Sequence, residues 1–134
     1  MRGLLPNAQD RETRGFFDAA AQGRLVFRAC NACGHALHPP TAHCPYCGSW
    51  ETAWRDAAGT GTLHTWTVVR HQVHPAFPTP YTLVVVQLDE APEVRLMGRI
   101  DGEAELEQGA RMQVWFEQLE GGVTLPQWRP MQDA

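Results

Sequence analysis

The stretch Cys30-Asn-Ala-Cys33-Gly34-His35-Ala-Leu-His38-Pro39-Pro40-Thr41-Ala-His43-Cys44-Pro-Tyr-Cys47-Gly48 contains every cysteine of the chain, arranged as two CxxC units, each followed by glycine, with ten residues between Cys33 and Cys44. In each CxxC both sulfurs sit on one tight turn. The glycine behind it (Gly34, Gly48) lets the backbone fold back so that amides point at the thiolates. Two such knuckles supply four thiolates, enough to fill the tetrahedral shell of zinc. The expectation is one structural Zn2+ per chain, held by Cys30, Cys33, Cys44 and Cys47. A shell closed by four cysteines leaves no position for water, so the ion holds structure and performs no chemistry. A thioredoxin-like redox pair would use a single CxxC at a helix start, and iron–sulfur centres use tighter or less symmetric spacings. His35, His38 and His43 read as solvated or hydrogen-bonded loop residues, since four cysteines already suffice.

The chain has 134 residues, which fits one domain or one small domain with an appendage. Its longest apolar run, Leu83–Val86, falls far short of the ~20 residues that span a bilayer. Leu4-Leu5 is cut off by Pro6, so the N-terminus does not read as a signal peptide and a cytoplasmic location is expected, with no membrane partner. Cysteines confined to one cluster also argue against a disulfide framework. Charge is unevenly spread. Residues 1–50 carry five Arg and three acids, whereas residues 51–134 carry six Arg and twelve acids. An acidic second half is the opposite of what a phosphate backbone attracts, so nucleic acid is an unfavoured partner.

Outward from the cysteines the pattern changes in both directions. Residues 1–9 lack periodicity and read as a disordered leader. Asp10 is placed to cap a helix whose Phe16, Phe17, Ala20 and Ala21 gather on one side before Gly23 ends it. Leu25–Arg28 reads as a short strand entering the first knuckle. Beyond the ribbon, five β patterns run over 60–71, 81–88, 93–100, 112–119 and 123–128, with a single helical turn expected over Glu103–Gly109. Five strands with a helical insertion between the third and fourth outline an OB-fold barrel. Trp50 and Trp54, just past the second knuckle, are expected to seat the ribbon on that barrel. The segment His71–Pro80 holds three prolines and reads as a stiff exposed loop at the barrel mouth. The fold expected is therefore mainly β: an N-terminal helical segment (1–29), a rubredoxin-like zinc ribbon (30–54) and a five-stranded OB-fold barrel (55–134).

No catalytic constellation emerges. The only serine is Ser49, and Gly59-Thr-Gly61 is too short to cradle a phosphate. His71 and His74 form a loop HxxH without a third ligand, and the acids between Glu103 and Glu107 read as a solvated turn. The residues thus point to a non-catalytic protein.

The order of parts resembles the DUF35 family of zinc-ribbon and OB-fold proteins. The likeness is carried by Gly23-Arg-Leu-Val-Phe-Arg-Ala-Cys30, the two CxxCG knuckles, His38-Pro-Pro40, Gly59-Thr-Gly61, Thr65–Arg70, Pro80-Tyr81, Val86–Glu90 and Gly109. It covers about residues 14–130. The resemblance implies Cys30, Cys33, Cys44 and Cys47 as zinc ligands and an accessory subunit without catalytic residues of its own. The implied partner is a thiolase-like protein (a lipid-transfer-type thiolase or an aldolase) in a hetero-oligomer acting on acyl-CoA, whose chain the subunit helps to enclose. A MaoC-like enoyl-CoA hydratase is the alternative partner, and lipid or steroid metabolism the implied setting. The family often has Arg after the Pro-Pro pair, where this chain has Thr41. Phe16, Phe17, Phe77 and Tyr81 are the residues expected at the partner interface, the competing reading being that they fill the domain's own core.

Overall fold

A computed structural model describes residues 4–132. Helix α1 (Arg14–Ala21) is preceded by a turn in which Asp10 accepts the Glu12 amide on its side chain and the Thr13 and Arg14 amides on its carbonyl. The helix therefore starts later than Asp10 suggested, with Thr13 at its N-cap. It ends in a Schellman motif: the Arg24 amide reaches Ala19 and the Gly23 amide reaches Ala20. Ala19 and Ala20 are buried, and eight residues need this packing to stay helical.

Beyond the helix lie two sheets. The first has order β2-β1-β3, with β1 (Leu25–Cys30) central, β2 (Ala36–Leu37) on one side and β3 (Thr52–Ala57) on the other, both antiparallel. All of β1 except Arg28 is buried. Trp54 on β3 lies against α1, where a side chain on Gly15 would collide with its indole, and Arg28 stacks over the same ring at 5.2 Å. Trp50 does not share this role. It is 72% exposed and tilts against His43, so of the two tryptophans Trp54 alone ties the ribbon to its surroundings, through the helix.

The second sheet has order β6-β5-β4-β7-β8, from β4 (Thr60–Val69), β5 (Tyr81–Leu88), β6 (Arg95–Asp101), β7 (Arg111–Gln118) and β8 (Thr124–Pro130). These are the five strands expected from the sequence, in an OB-fold arrangement. Strand β5 alternates without a break between half-buried and buried positions, placing Thr82, Val84, Val86 and Leu88 inside. No ladder joins β6 to β8. The Gln127 side-chain oxygen instead accepts the Arg99 amide at 2.7 Å across the seam. Gly98 allows that approach, since a Cβ there would stand 3.0 Å from both Cδ1 and N of Trp128.

The helical turn expected over Glu103–Gly109 is absent. Its backbone is satisfied by the barrel: the Ala104 amide reaches the Thr82 hydroxyl (3.0 Å) and the Gly109 amide reaches the Leu63 carbonyl (3.0 Å). So short a segment gains too little from intrahelical bonds to compete with those partners. One hydrophobic core runs through both sheets, from Leu25, Phe27, Ala29 and Ala36 to Leu63, Val84, Val86, Met112 and Trp128. No helix among the described residues is long and apolar enough to cross a membrane.

Candidate metal centre and apolar groove

The two knuckles are near copies of each other. In the first, the Gly34 amide reaches Cys30 O and the Cys30 amide reaches His35 O. In the second, the Gly48 amide reaches Cys44 O and the Cys44 amide reaches Ser49 O, all four at 2.9 Å. Gly34 (φ 83°) and Gly48 (φ 79°) occupy the left-handed region that this fold-back demands. The four Sγ atoms converge within 4.8 Å of one another, and the Cys30–Cys47 and Cys33–Cys44 pairs are 3.6 Å apart. A zinc tetrahedron with Zn–S bonds of about 2.3 Å has sulfur–sulfur edges of about 3.8 Å, so the donor set fits the ion. Cys30 and Cys44 are fully buried and Cys33 and Cys47 exposed, which gives the centre one inner and one outer edge.

Electrostatics lead to the same conclusion. The Cys33 amide is the main influence holding the Cys30 thiol down to about 7. At Cys47 the Ser49 amide pulls the same way, but burial and the neighbouring Cys30, Cys33 and Cys44 sulfurs outweigh it and push the thiol up to about 12. Four sulfurs this close cannot all ionise without a cation between them. Outside the cluster, His35 lies 3.2 Å by its Nδ1 from Cys33 Sγ, placed to donate to a thiolate, and stacks on Tyr46 at 4.1 Å. His43 faces Trp50, and His38 lies exposed beside Pro39. None of the three enters the sulfur cluster. Thr41, where the family often has Arg, donates its hydroxyl to His43 O (2.9 Å) within the ribbon loop. Arg28 holds the loop to the sheet through Thr52, whose hydroxyl continues to Ala42 O.

The four aromatic residues singled out from the sequence lie along one surface feature. Phe77 and Tyr81 wall a cavity of about 540 Å3, and Phe16 and Phe17 wall one of about 270 Å3. The two cavities share Leu83, Arg99, Leu125 and Gln127, so they are two ends of one groove over the β6–β8 seam. All four aromatics are half-buried, and Phe16 also packs on the core. Sequence reasoning missed Leu83, Met97, Arg99 and Leu125, which reach the groove from three different strands. It also treated residues 1–9 as a free leader, whereas Leu4 and Leu5 line the groove; residues 1–3 lie outside the described residues. His74 is occupied locally, its Nδ1 accepting the Ala76 amide, and His71 is exposed.

Comparison with known proteins agrees with this architecture. The family model of the ChsH2 rubredoxin-like zinc ribbon domain matches residues 17–51, and that of the ChsH2 C-terminal OB-fold domain matches residues 54–117. A solved structure described as an Ltp2-ChsH2(DUF35) aldolase is 37% identical, with a TM-score of 0.83, over 93% of this chain and 98% of that one. The chain belongs to the DUF35 family, as a ChsH2-type zinc ribbon joined to an OB-fold. A DUF35 protein of unknown function from Sulfolobus solfataricus shares the fold, at 14% identity and a TM-score of 0.59, over 80% of this chain and 77% of that one. Two curated relatives are each 39% identical. One is a probable enoyl-CoA hydratase alpha subunit from Thermomonospora curvata, matched over 96% of this chain. The other is a DUF35 domain-containing scaffold protein from Pyrococcus furiosus, matched over 53%. The matches span only 41% and 52% of those relatives' own lengths.

Proposed function

We propose that this protein is a non-catalytic, zinc-clamped accessory subunit of a thiolase-like enzyme, of lipid-transfer-type thiolase or aldolase class, acting on acyl-CoA thioesters. The observation that carries the reading is the likeness, over nearly the whole of both chains, to the protein described as an Ltp2-ChsH2(DUF35) aldolase. The chemistry of the chain agrees, since its sulfur cluster is a closed ligand set. The subunit would present its half-buried aromatics Phe16, Phe17, Phe77 and Tyr81 to the enzyme, stabilise it and help enclose the CoA chain. The partner would supply the catalytic residues.

The relative named as an enoyl-CoA hydratase alpha subunit favours a second reading, in which the partner is a MaoC-like hydratase. A nucleic-acid module is disfavoured by the net charge of -4. The test is turnover. The purified, zinc-loaded chain is expected to leave acyl-CoA and enoyl-CoA thioesters unchanged, and co-expression with the enzyme it binds should restore activity. Carbon–carbon bond cleavage would mark the first reading and hydration the second. Turnover by the chain alone would overturn both.

A further inference from the structure

The groove is apolar along its floor and acidic at its lip. Arg99 stands at its centre, paired with Glu117 at 3.2 Å, and Glu120 borders the end walled by Phe77 and Tyr81. The groove thus carries two carboxylates against one guanidinium. The chain's own Leu4 and Leu5 already sit at that end. They are held by apolar contact alone. Leu4 remains 58% exposed, and residues 4–8 make no hydrogen bond to the barrel among the described residues. The opposite end, lined by Phe16, Phe17 and the 60% exposed Met97, is left open. The resident segment has no regular secondary structure, is aliphatic and carries Arg2 close by in sequence, a chemistry complementary to an apolar floor with an acidic lip.

We propose that this groove docks an extended aliphatic segment of the partner protein bearing a basic residue, and that Leu4–Leu5 hold one end of it until that segment displaces them. The existence of a partner rests on the accessory-subunit reading; the self-occupied groove does not. A groove filled most of the time from within binds an outside ligand more weakly in proportion to the fraction left free.

The probe is a fluorescein-labelled peptide of the leader sequence, residues 1–9, followed by anisotropy. It is expected to bind the full-length Leu4→Ser/Leu5→Ser variant at least about tenfold more tightly than the wild type, whose own leader competes. Binding should weaken as salt is raised, and Phe77→Ser in the leader variant should abolish it. Equal affinity for wild type and leader variant, or indifference to Phe77→Ser, would overturn the proposal. Should the double variant lose its fold, the single variant Leu4→Ser gives the answer. It should bind the peptide more tightly than wild type, and equal affinity would overturn the docking site. With a co-expressed enzyme partner, Met97→Glu should weaken the complex at least about tenfold, because it sets a charge against the apolar segment docked there. A partner that binds wild type and Met97→Glu alike overturns the groove and leaves the accessory reading standing. If no enzyme binds the wild type, the accessory reading falls and the peptide still decides the groove.

Discussion

Removing the metal should unfold the ribbon and leave the barrel standing. Between Cys30 and Glu51 the only buried side chains besides Cys30 and Cys44 are Ala36 and Leu37. Burying a leucine is worth about 1.5–3 kcal/mol, whereas a structural zinc contributes on the order of 10 kcal/mol to the folding of the segment that ligates it. The metal therefore dominates severalfold. The barrel keeps its own interior of Leu63, Val84, Val86, Leu88, Val94, Met112 and Trp128, none of which belongs to the ribbon. Cys44→Ala, at a fully buried ligand, and stripping with a strong chelator should act alike. Elemental analysis is expected to give one zinc per chain before treatment and none after. Amide exchange should then accelerate throughout residues 30–51 while β4, β5 and β7 stay protected. The reasoning would be refuted by a metal-free chain whose ribbon amides remain protected, or by collapse of both regions in one transition.

Three other perturbations probe the frame around the site. Gly98→Val pushes a side chain into Trp128 where a Cβ has only 3.0 Å, so overpacking should cost about 1–3 kcal/mol in urea unfolding; an unchanged midpoint would show that the seam is looser than described. Thr82 is fully buried, donates to Gly102 O at 2.8 Å and accepts the Ala104 amide, so Thr82→Val should cost about 1–3 kcal/mol by leaving both unpaired. Calorimetry would reveal a neutral substitution if water replaces the hydroxyl. Asp89 is held down to about 2 from 3.8, chiefly by Arg111 donating to both carboxylate oxygens and then by the Thr60 hydroxyl. A lowered carboxylate stabilises above its unfolded value and loses that contribution as pH falls from about 4 towards about 2. Since the pair is one-third to one-half exposed, Asp89→Asn should cost under about 1 kcal/mol at neutral pH and flatten the acid limb of stability against pH. An acid limb identical to wild type would assign it to other carboxylates.

What the sequence disclosed tracked the range of the interactions involved. The metal site was legible because its ligands lie on two local turns whose glycines and spacing are written in one short stretch. The barrel strands were legible where one face is buried, as in β5, whose alternation is unbroken. Strand β3 passed unnoticed because Thr52-Ala-Trp-Arg-Asp-Ala57 has no such alternation and owes its conformation to pairing with β1. The absent turn after β6 failed for a related reason: the partners of its amides, Thr82 and Leu63, lie far away in sequence. The groove is the extreme case. Phe16, Phe77 and Tyr81 stood out singly as aromatics, but only the fold sets them along the same seam as Leu83, Met97 and Leu125. Leu4 and Leu5 gave no periodic signal at all, since two leucines before a proline suit a free leader as well as a seated one.

The central claim is that this chain works as part of another enzyme. Native mass spectrometry of the affinity-purified chain from its own cells tests it most directly. The account predicts a zinc-bearing hetero-oligomer whose second component is a thiolase-like enzyme active on acyl-CoA. A chain that purifies alone, or with nucleic acid or polymerase components, would contradict it.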